Sequence, residues 1–184
     1  MTLLEQEIIE TRKKIIEKDF SRMNDMQKKA VFHTEGPVLI LAGAGSGKTT
    51  VLINRIGNLV KYGSAYESEK LPEGVCDGDL ALLKDCLEGK AADSPRLYSL
   101  LTVDPPRPYE ILAITFTNKA AGELKERLSG MLGEQSRDIW AFTFHSACLR
   151  MLRRFADRIG FSSHFTIYDS DDSKRVMKEC QKEL

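Results

Sequence analysis

Eight consecutive residues, Ala42-Gly43-Ala44-Gly45-Ser46-Gly47-Lys48-Thr49, place three glycines, two hydroxyls and a lysine directly after the apolar run Val38-Leu39-Ile40-Leu41. The pattern predicts a buried strand that turns through a glycine-rich loop into a helix. Glycine lets backbone N–H groups converge on phosphate oxygens where a Cβ would block them. The helix N-terminus adds unsatisfied donors and the positive end of its dipole. The chemistry this suits is capture of a nucleoside triphosphate, with Lys48 reaching the β- and γ-phosphates and the Thr49 hydroxyl completing a Mg²⁺ shell. Ala42 stands where the strict loop pattern begins with Gly, and it is the smallest residue that carries a Cβ. A ligand-free turn rich in small residues is the bland alternative. The Gly-Lys-Thr ending after a strand argues against it.

Two more apolar runs end in polar clusters. Ile111-Leu112-Ala113-Ile114-Thr115-Phe116 reads as a buried strand and leads into Thr117-Asn118-Lys119-Ala120-Ala121. Ile139-Trp140-Ala141-Phe142-Thr143-Phe144 reads as another and leads into His145-Ser146, with Arg150, Arg153 and Arg154 beyond. Open α/β sheets place ligands at the C-terminal edge of their strands. Hydroxyls, an aromatic ring and cations gathered there suit a nucleic-acid single strand, with donors to phosphates and Phe116 beneath a base. Each residue also has a structural reading: Phe116 as core, Asn118 as an N-cap, His145 as a helix starter, the arginines as a solvated face. On the residues alone both readings stand.

The elements that must position these groups follow from periodicity. Residues 3 to about 18 form an amphipathic helix with Leu4, Ile8, Ile15 and Ile16 on one side, packed on the domain or swinging free. A second helix starts with Asn24 as N-cap and carries Gln27, Ala30 and Val31. Gly36-Pro37 then breaks the chain before the first strand. A helix follows the loop and closes near Tyr62-Gly63; others carry Leu124 and Leu128, and residues 145–159. Phe165-Thr166-Ile167-Tyr168 is short and apolar, and Ser170 caps a last helix, acidic at its start and basic towards its end. Strands alternating with helices imply a parallel sheet. Residues 63–107 differ, with repeated Pro and Gly and one regular stretch, 79–87, where Leu80, Leu83 and Leu87 share a helical face. They read as a surface insertion whose short helix caps the sheet edge, with a functional flap as the alternative.

The 184 residues, 42% of them apolar, suffice for one domain with a small appendage. Lys plus Arg equals Asp plus Glu at 27 each, so a nucleic-acid site must be a local patch rather than a global basic field. Cys76, Cys86, Cys148 and Cys180 are scattered without a C-x-x-C pair, which argues against zinc and a disulfide framework and for a reducing compartment. No signal-peptide core or membrane-length apolar run occurs, and a cytoplasmic location is expected.

Taken together these motifs resemble the N-terminal ATPase domain of superfamily 1 DNA helicases of the UvrD/Rep/PcrA type. The resemblance rests on Met23-Asn24-Asp25-Met26-Gln27 with Ala30-Val31, the loop at 42–49, Thr115 to Ala121 with Glu123 and Arg127, Thr143 to Ser146, and the tail at 150–169. It covers about residues 22–62 and 109–184. It implies an α/β fold of the P-loop NTPase (RecA-like) kind, a parallel sheet flanked by helices with the start of a helical inserted subdomain. The domain expectation is an N-terminal helix at 1–21, a RecA-like ATP-binding domain at 22–145 with the insertion at 63–107, and an incomplete helical DNA-binding subdomain at 146–184.

The implied function is an ATP-binding fragment of a 3′ to 5′ helicase that couples ATP hydrolysis to movement on DNA. Gln27 would read the adenine edge, and Ala42, Gly43, Ala44, Gly45, Ser46, Gly47, Lys48, Thr49 and Thr50 would line the nucleotide. Lys48 and Thr49 would be the catalytic pair, with Thr49 holding Mg²⁺. Phe116, Thr117, Asn118, Lys119, Thr143 and His145 would sit on single-stranded DNA, and the helix bearing the arginines would approach duplex DNA. Thr50 stands where the family commonly has an Arg that stacks on adenine, and Phe142 where it usually has Gly. The Asp-Glu pair that activates the attacking water, the arginine fingers and a second RecA-like domain lie downstream in the family. The chain ends inside a predicted helix at Glu183-Leu184, as a fragment of a longer protein would. Two alternatives remain at this level. A small P-loop kinase would take Asp169 as its Mg²⁺ ligand and residues 150–158 as a lid, and a non-catalytic nucleotide- or DNA-binding module would act as it stands.

Overall fold

The computed structural model describes residues 1–43 and 45–183, so Ala44, one member of the expected nucleotide-binding set, lies outside the described residues. The chain opens with α1 (Leu3–Asp19), fixed by a capping box in which the Glu5 amide donates to Thr2 Oγ1 and the Thr2 amide to Glu5. Asn24 and Gln27 form a second capping box at the start of α2 (Asp25–Phe32). Helix α3 (Lys48–Tyr62) follows the glycine loop and stops at Gly63, as its sequence predicts.

Residues 63–107 contain α4 (Asp77–Glu88) and also α5 (Pro95–Leu101), which the sequence reading did not identify; Ser94 caps it and Pro95 starts it. The helix of this insertion does not cap the sheet. It packs on α1, where Ile8, Ile15, Leu80, Leu83, Leu97 and Leu100 form a buried cluster containing no strand residue. The amphipathic face of α1 explains this: α4 offers a complementary leucine stripe, and burial of each large side chain is worth about 1.5–3 kcal/mol. The insertion closes on itself, since Ser64 N–H donates to the Val103 carbonyl at 2.8 Å and Val103 N–H to that of Tyr62 at 3.1 Å. Gly63 is required there: with φ at +61°, a Cβ would lie 2.0 Å from the Val103 carbonyl oxygen.

The sheet consists of β1 (Leu112–Thr115) and β2 (Trp140–Thr143), parallel and in register from Leu112 opposite Trp140 to Thr115 opposite Thr143. Between them runs α6 (Asn118–Leu132), and beyond them α7 (Phe144–Phe155) and α8 (Ser170–Glu183). One face of the sheet is closed: Ala113 and Ala141 lie with Ile53, Ile56 and Val60 of α3 and with Leu124, Leu128 and Leu132 of α6. A third buried cluster joins Ile16, Phe20, Val31, Phe32, Val51 and Tyr62, fastening α1 and α2 to α3.

The fold is therefore a helix-rich α/β arrangement with a small parallel sheet. Two strand expectations need correction. Residues 38–41 form no strand, and Leu39 and Leu41 are 83% and 87% exposed. A buried parallel strand needs a hydrogen-bonded neighbour, and among the described residues β1 and β2 pair only with each other. Strand β1 is half-covered rather than buried, with Leu112 and Ile114 turned away from the helices. The short apolar run at 165–168 adopts no regular element.

Candidate functional site

The loop is built on backbone geometry. Ser46 closes its turn, with Oγ donating to the Gly43 carbonyl at 2.7 Å. Gly45 and Gly47 hold φ of +77° and +84°, the left-handed region that other residues enter only with strain. Gly47 is the N-cap of α3 and supplies no side chain, so no side-chain acceptor engages the first-turn amides. A Cβ added at Gly43 or Gly45 would meet nothing within 4 Å, so the main chain here borders open space. Lys48, the first residue of α3, folds back over this loop, its Nζ 2.9 Å from the Ala42 carbonyl and 2.6 Å from that of Gly43. The start of α3 thus carries first-turn amides without a side-chain acceptor and an ammonium group held on the loop carbonyls, and such a helix start suits an anion. Thr49 and Thr50 follow in the same turn and are exposed.

Helix α2 overhangs this loop. Arg55 of α3 donates to the carbonyls of Ala30 and His33, and Asn58 Nδ2 donates to that of Val31, which locks α2 against α3. Gln27 then reaches the loop, its Nε2 donating to the Ser46 carbonyl at 3.3 Å while its Oε1 accepts from the Asn24 amide at 3.2 Å. Each half of the amide keeps one further donor or acceptor position. A cavity of about 1030 Å³ lies between α2 and residues 37–42, and a second of about 820 Å³ lies between α3 and the C-terminal end of α1.

The register of the sheet brings the other two clusters together, because Thr115 and Thr143 face each other at the strand ends. Phe116 is 95% exposed, so the core reading of this residue is excluded. Thr117, not Asn118, is the N-cap of α6: its hydroxyl accepts from the Ala120 amide at 3.1 Å, and Asn118 and Lys119 are the first helical residues. Thr143 is buried and caps α7, its Oγ1 accepting from the Ser146 amide at 3.3 Å. His145 is exposed beside Phe144, their rings edge to face at 6.1 Å. Asp169, the metal ligand that a kinase would need, caps α8 by accepting from the amides of Asp171 and Asp172 at 2.9 and 2.8 Å, the role expected of Ser170.

The sequence reading missed one grouping on the outer face of β2. Arg150 lies 5.0 Å from the Trp140 ring centre and 5.3 Å from that of Phe142, while Lys125 lies 4.6 Å over Phe142. Alternation along the strand was the available signal, since Trp140 and Phe142 stand two apart with Arg150 two helical turns after the strand.

Comparison with known proteins shows the family. The model of the UvrD/REP helicase N-terminal domain matches residues 23–71 and 94–184. The chain is 43% identical over 162 residues to the ATP-dependent DNA helicase PcrA of Staphylococcus aureus (strain Mu50), which covers 88% of this chain and 17% of the relative. It is 44% identical over 160 residues to the protein of the same name from Staphylococcus epidermidis (strain ATCC 12228), which covers 87% of the chain and 16% of the relative. The chain thus spans about a sixth of the length of these curated relatives. No helix among the described residues is long and apolar enough to cross a membrane. With the loop, the overhanging Gln27 and the paired strand ends in one molecule, and with the match extending over most of its length, the chain belongs to the UvrD/REP helicase N-terminal domain family.

Proposed function

We propose that this chain is the ATP-binding portion of a 3′ to 5′ DNA helicase and that its sheet is part of a RecA-like domain. The observation that carries this reading is the glycine loop feeding α3 without a side-chain cap, with Lys48 poised at its rim. The first-turn amides would donate to the phosphate oxygens. The Lys48 ammonium would exchange two carbonyl partners for the β- and γ-phosphates, a stronger charge-assisted contact. Gln27 would use its remaining donor and acceptor on the adenine edge. The Thr49 hydroxyl would be the protein's ligand for a Mg²⁺ ion, which would neutralise charge on the transferring phosphoryl group. Among the described residues no cluster of three or more acidic, His or Cys side chains offers another metal site.

The exposed strand ends would form the DNA track. Phe116 presents an open aromatic face, and Lys119 and His145 stand in the first turns of the helices that follow the two strands. Thr117, Asn118 and Thr143 would act through the helix starts, where backbone amides meet phosphates. The helices from 146 onward would begin a subdomain that meets duplex DNA. A second RecA-like domain would close on the nucleotide and convert hydrolysis into steps along the strand.

The test is Lys48→Ala in the full-length protein. Nucleotide affinity and DNA-stimulated ATP hydrolysis are expected to fall by at least about a hundredfold, since the ammonium stabilises charge that builds in the transition state, with the circular dichroism spectrum unchanged. Unwinding that survives this substitution would remove the basis of the assignment.

A further inference from the structure

Helix α2 ends without a glycine to close it. Its C-cap, His33, is extended, with φ of −71° and ψ of 96°, where a left-handed residue commonly satisfies the last carbonyls. The His33 amide donates to the Lys29 carbonyl at 3.2 Å, but among the described residues the carbonyls of Ala30 and Val31 accept no main-chain amide. Their donors come from α3 instead. Arg55 Nη1 donates to the Ala30 carbonyl at 2.7 Å and also to that of His33, and Asn58 Nδ2 donates to the Val31 carbonyl at 3.3 Å. The two residues stand three apart on one face of α3, and Asn58 has no exposed surface. The guanidinium charge also meets the negative end of the α2 dipole.

The other end of α2 is held far more lightly. The helix has eight residues, and its buried side chains, Val31 and Phe32, both lie in the last turn. Gln27, in the first turn, reaches the loop through one contact of 3.3 Å to the Ser46 carbonyl. Its amide also lies against the last loop glycine, since a Cβ built on Gly47 would come within 3.1 Å of Gln27 Nε2. A displacement of about 1 Å would take the Ser46 contact out of hydrogen-bonding range. The direction of α2 is set where three carbonyls are gripped, and the place of the Gln27 amide follows from it. Arg55 lies two helical turns beyond Lys48, so one rigid helix carries the loop lysine at its start and the anchor of α2 further along.

We propose that Arg55 is a positioning residue for nucleobase recognition. It does not touch the nucleotide; by tying the end of α2 to α3 it holds Gln27 where the adenine edge would meet it. This rests on the roles of the loop and of Gln27 proposed above.

The experiment is a double-mutant cycle on the full-length protein, read by titration calorimetry with Mg-ATP and, separately, with magnesium tripolyphosphate, which has no base. Gln27→Ala and Arg55→Ala are each expected to weaken Mg-ATP by about five- to tenfold and to leave tripolyphosphate within about twofold. The double variant should be no more than about twofold weaker than either single one, because both remove the same contact. Arg55→Lys still places one nitrogen near both carbonyls and should recover most of the loss. Should Arg55→Ala lose its helical circular dichroism, Arg55→Met, which keeps the stem without the donors, takes its place in the cycle. Losses that multiply in the double variant, equal losses for both ligands, or no loss on replacing Arg55 would each overturn the proposal. Two other outcomes strike the readings beneath it. If Gln27→Ala binds Mg-ATP unchanged, the adenine role fails, and if Lys48→Ala binds both ligands unchanged, the phosphate loop fails; either takes this proposal with it.

Discussion

The lobe made by α1, α4 and α5 and the region of loop and strand ends treat apolar side chains in opposite ways. In the lobe Ile8, Leu83 and Leu100 are fully buried, and even Arg12 has no exposed surface, donating to the carbonyls of Ser68 and Lys70. Around the loop and strands Leu39, Leu41 and Phe116 are more than four-fifths exposed, and Phe144 more than half. The lobe is closed by its own residues. The other region leaves donors, cations and rings outward, available to ligands. Stability and the proposed function are thus divided between two parts of one chain, and substitutions should sort accordingly.

The largest effect should come from the lobe. Leu83→Ala removes a side chain with no exposed surface from the centre of its cluster and should cost about 3 kcal/mol in chemical denaturation. Leu41→Ala deletes the same atoms from an 87% exposed position and should change stability by less than about 0.5 kcal/mol. Comparable losses at the two sites would erase the distinction, because they would mean that Leu41 is packed in solution.

A smaller effect sharpens the comparison through pH. The buried Asp79 carboxylate accepts from Arg96 Nε at 2.8 Å and Nη2 at 2.6 Å and from the Cys76 amide at 3.0 Å. The Arg96 hydrogen bonds hold its pKa below the ordinary carboxylate value, against the opposing effect of burial. Because the folded-state value is depressed, the ionised form is the one folding favours. The contribution is complete above the unfolded value near about 4 and is lost as pH falls through the lower folded value. Asp79→Asn should therefore cost about 2 kcal/mol at neutral pH and flatten the acid limb of the stability profile. On the other region, the exposed Arg127–Glu123 pair should contribute no more than about 0.5 kcal/mol. A pH profile unaltered by Asp79→Asn would show that the lobe owes nothing to this pair.

The same division explains what could be read in advance. Local signals were legible: the capping box at Asn24 and Gln27, the glycines of the loop, the end of α3 at Gly63, and the two short strands within a residue or two. These depend on neighbours in the chain. The pairing of strands and the docking of helices do not. An apolar run such as 38–41 states a wish for burial without naming the partner, and no ladder among the described residues takes it up. The leucines of 79–87 declared a helix but not that α1 would receive them. Within the site, Lys48 and Gln27 were legible as types, whereas their hold on main-chain carbonyls depends on how α2 sits across α3. Thr117 displaced Asn118 as cap because both are good caps and the strand ends one residue earlier than its apolar run suggests.

The smallest expected effect on stability falls on Phe116, which the proposed function puts on single-stranded DNA. Phe116 is 95% exposed and belongs to none of the buried clusters, so Phe116→Ala removes a ring that packs against nothing. The denaturation midpoint should move by no more than the equivalent of about 0.5 kcal/mol. A large aromatic kept in water after a strand, beside a helix start and a lysine, gains nothing from folding and is suited to stack on a base. Loss of one such stack is worth about 1–3 kcal/mol of single-strand affinity, or roughly five- to a hundredfold. Fluorescence anisotropy of a labelled oligonucleotide with the full-length protein measures it. Unchanged affinity would place the DNA track elsewhere. A large loss of stability would mean that the ring is covered in solution, and that the two regions differ less than their exposures imply.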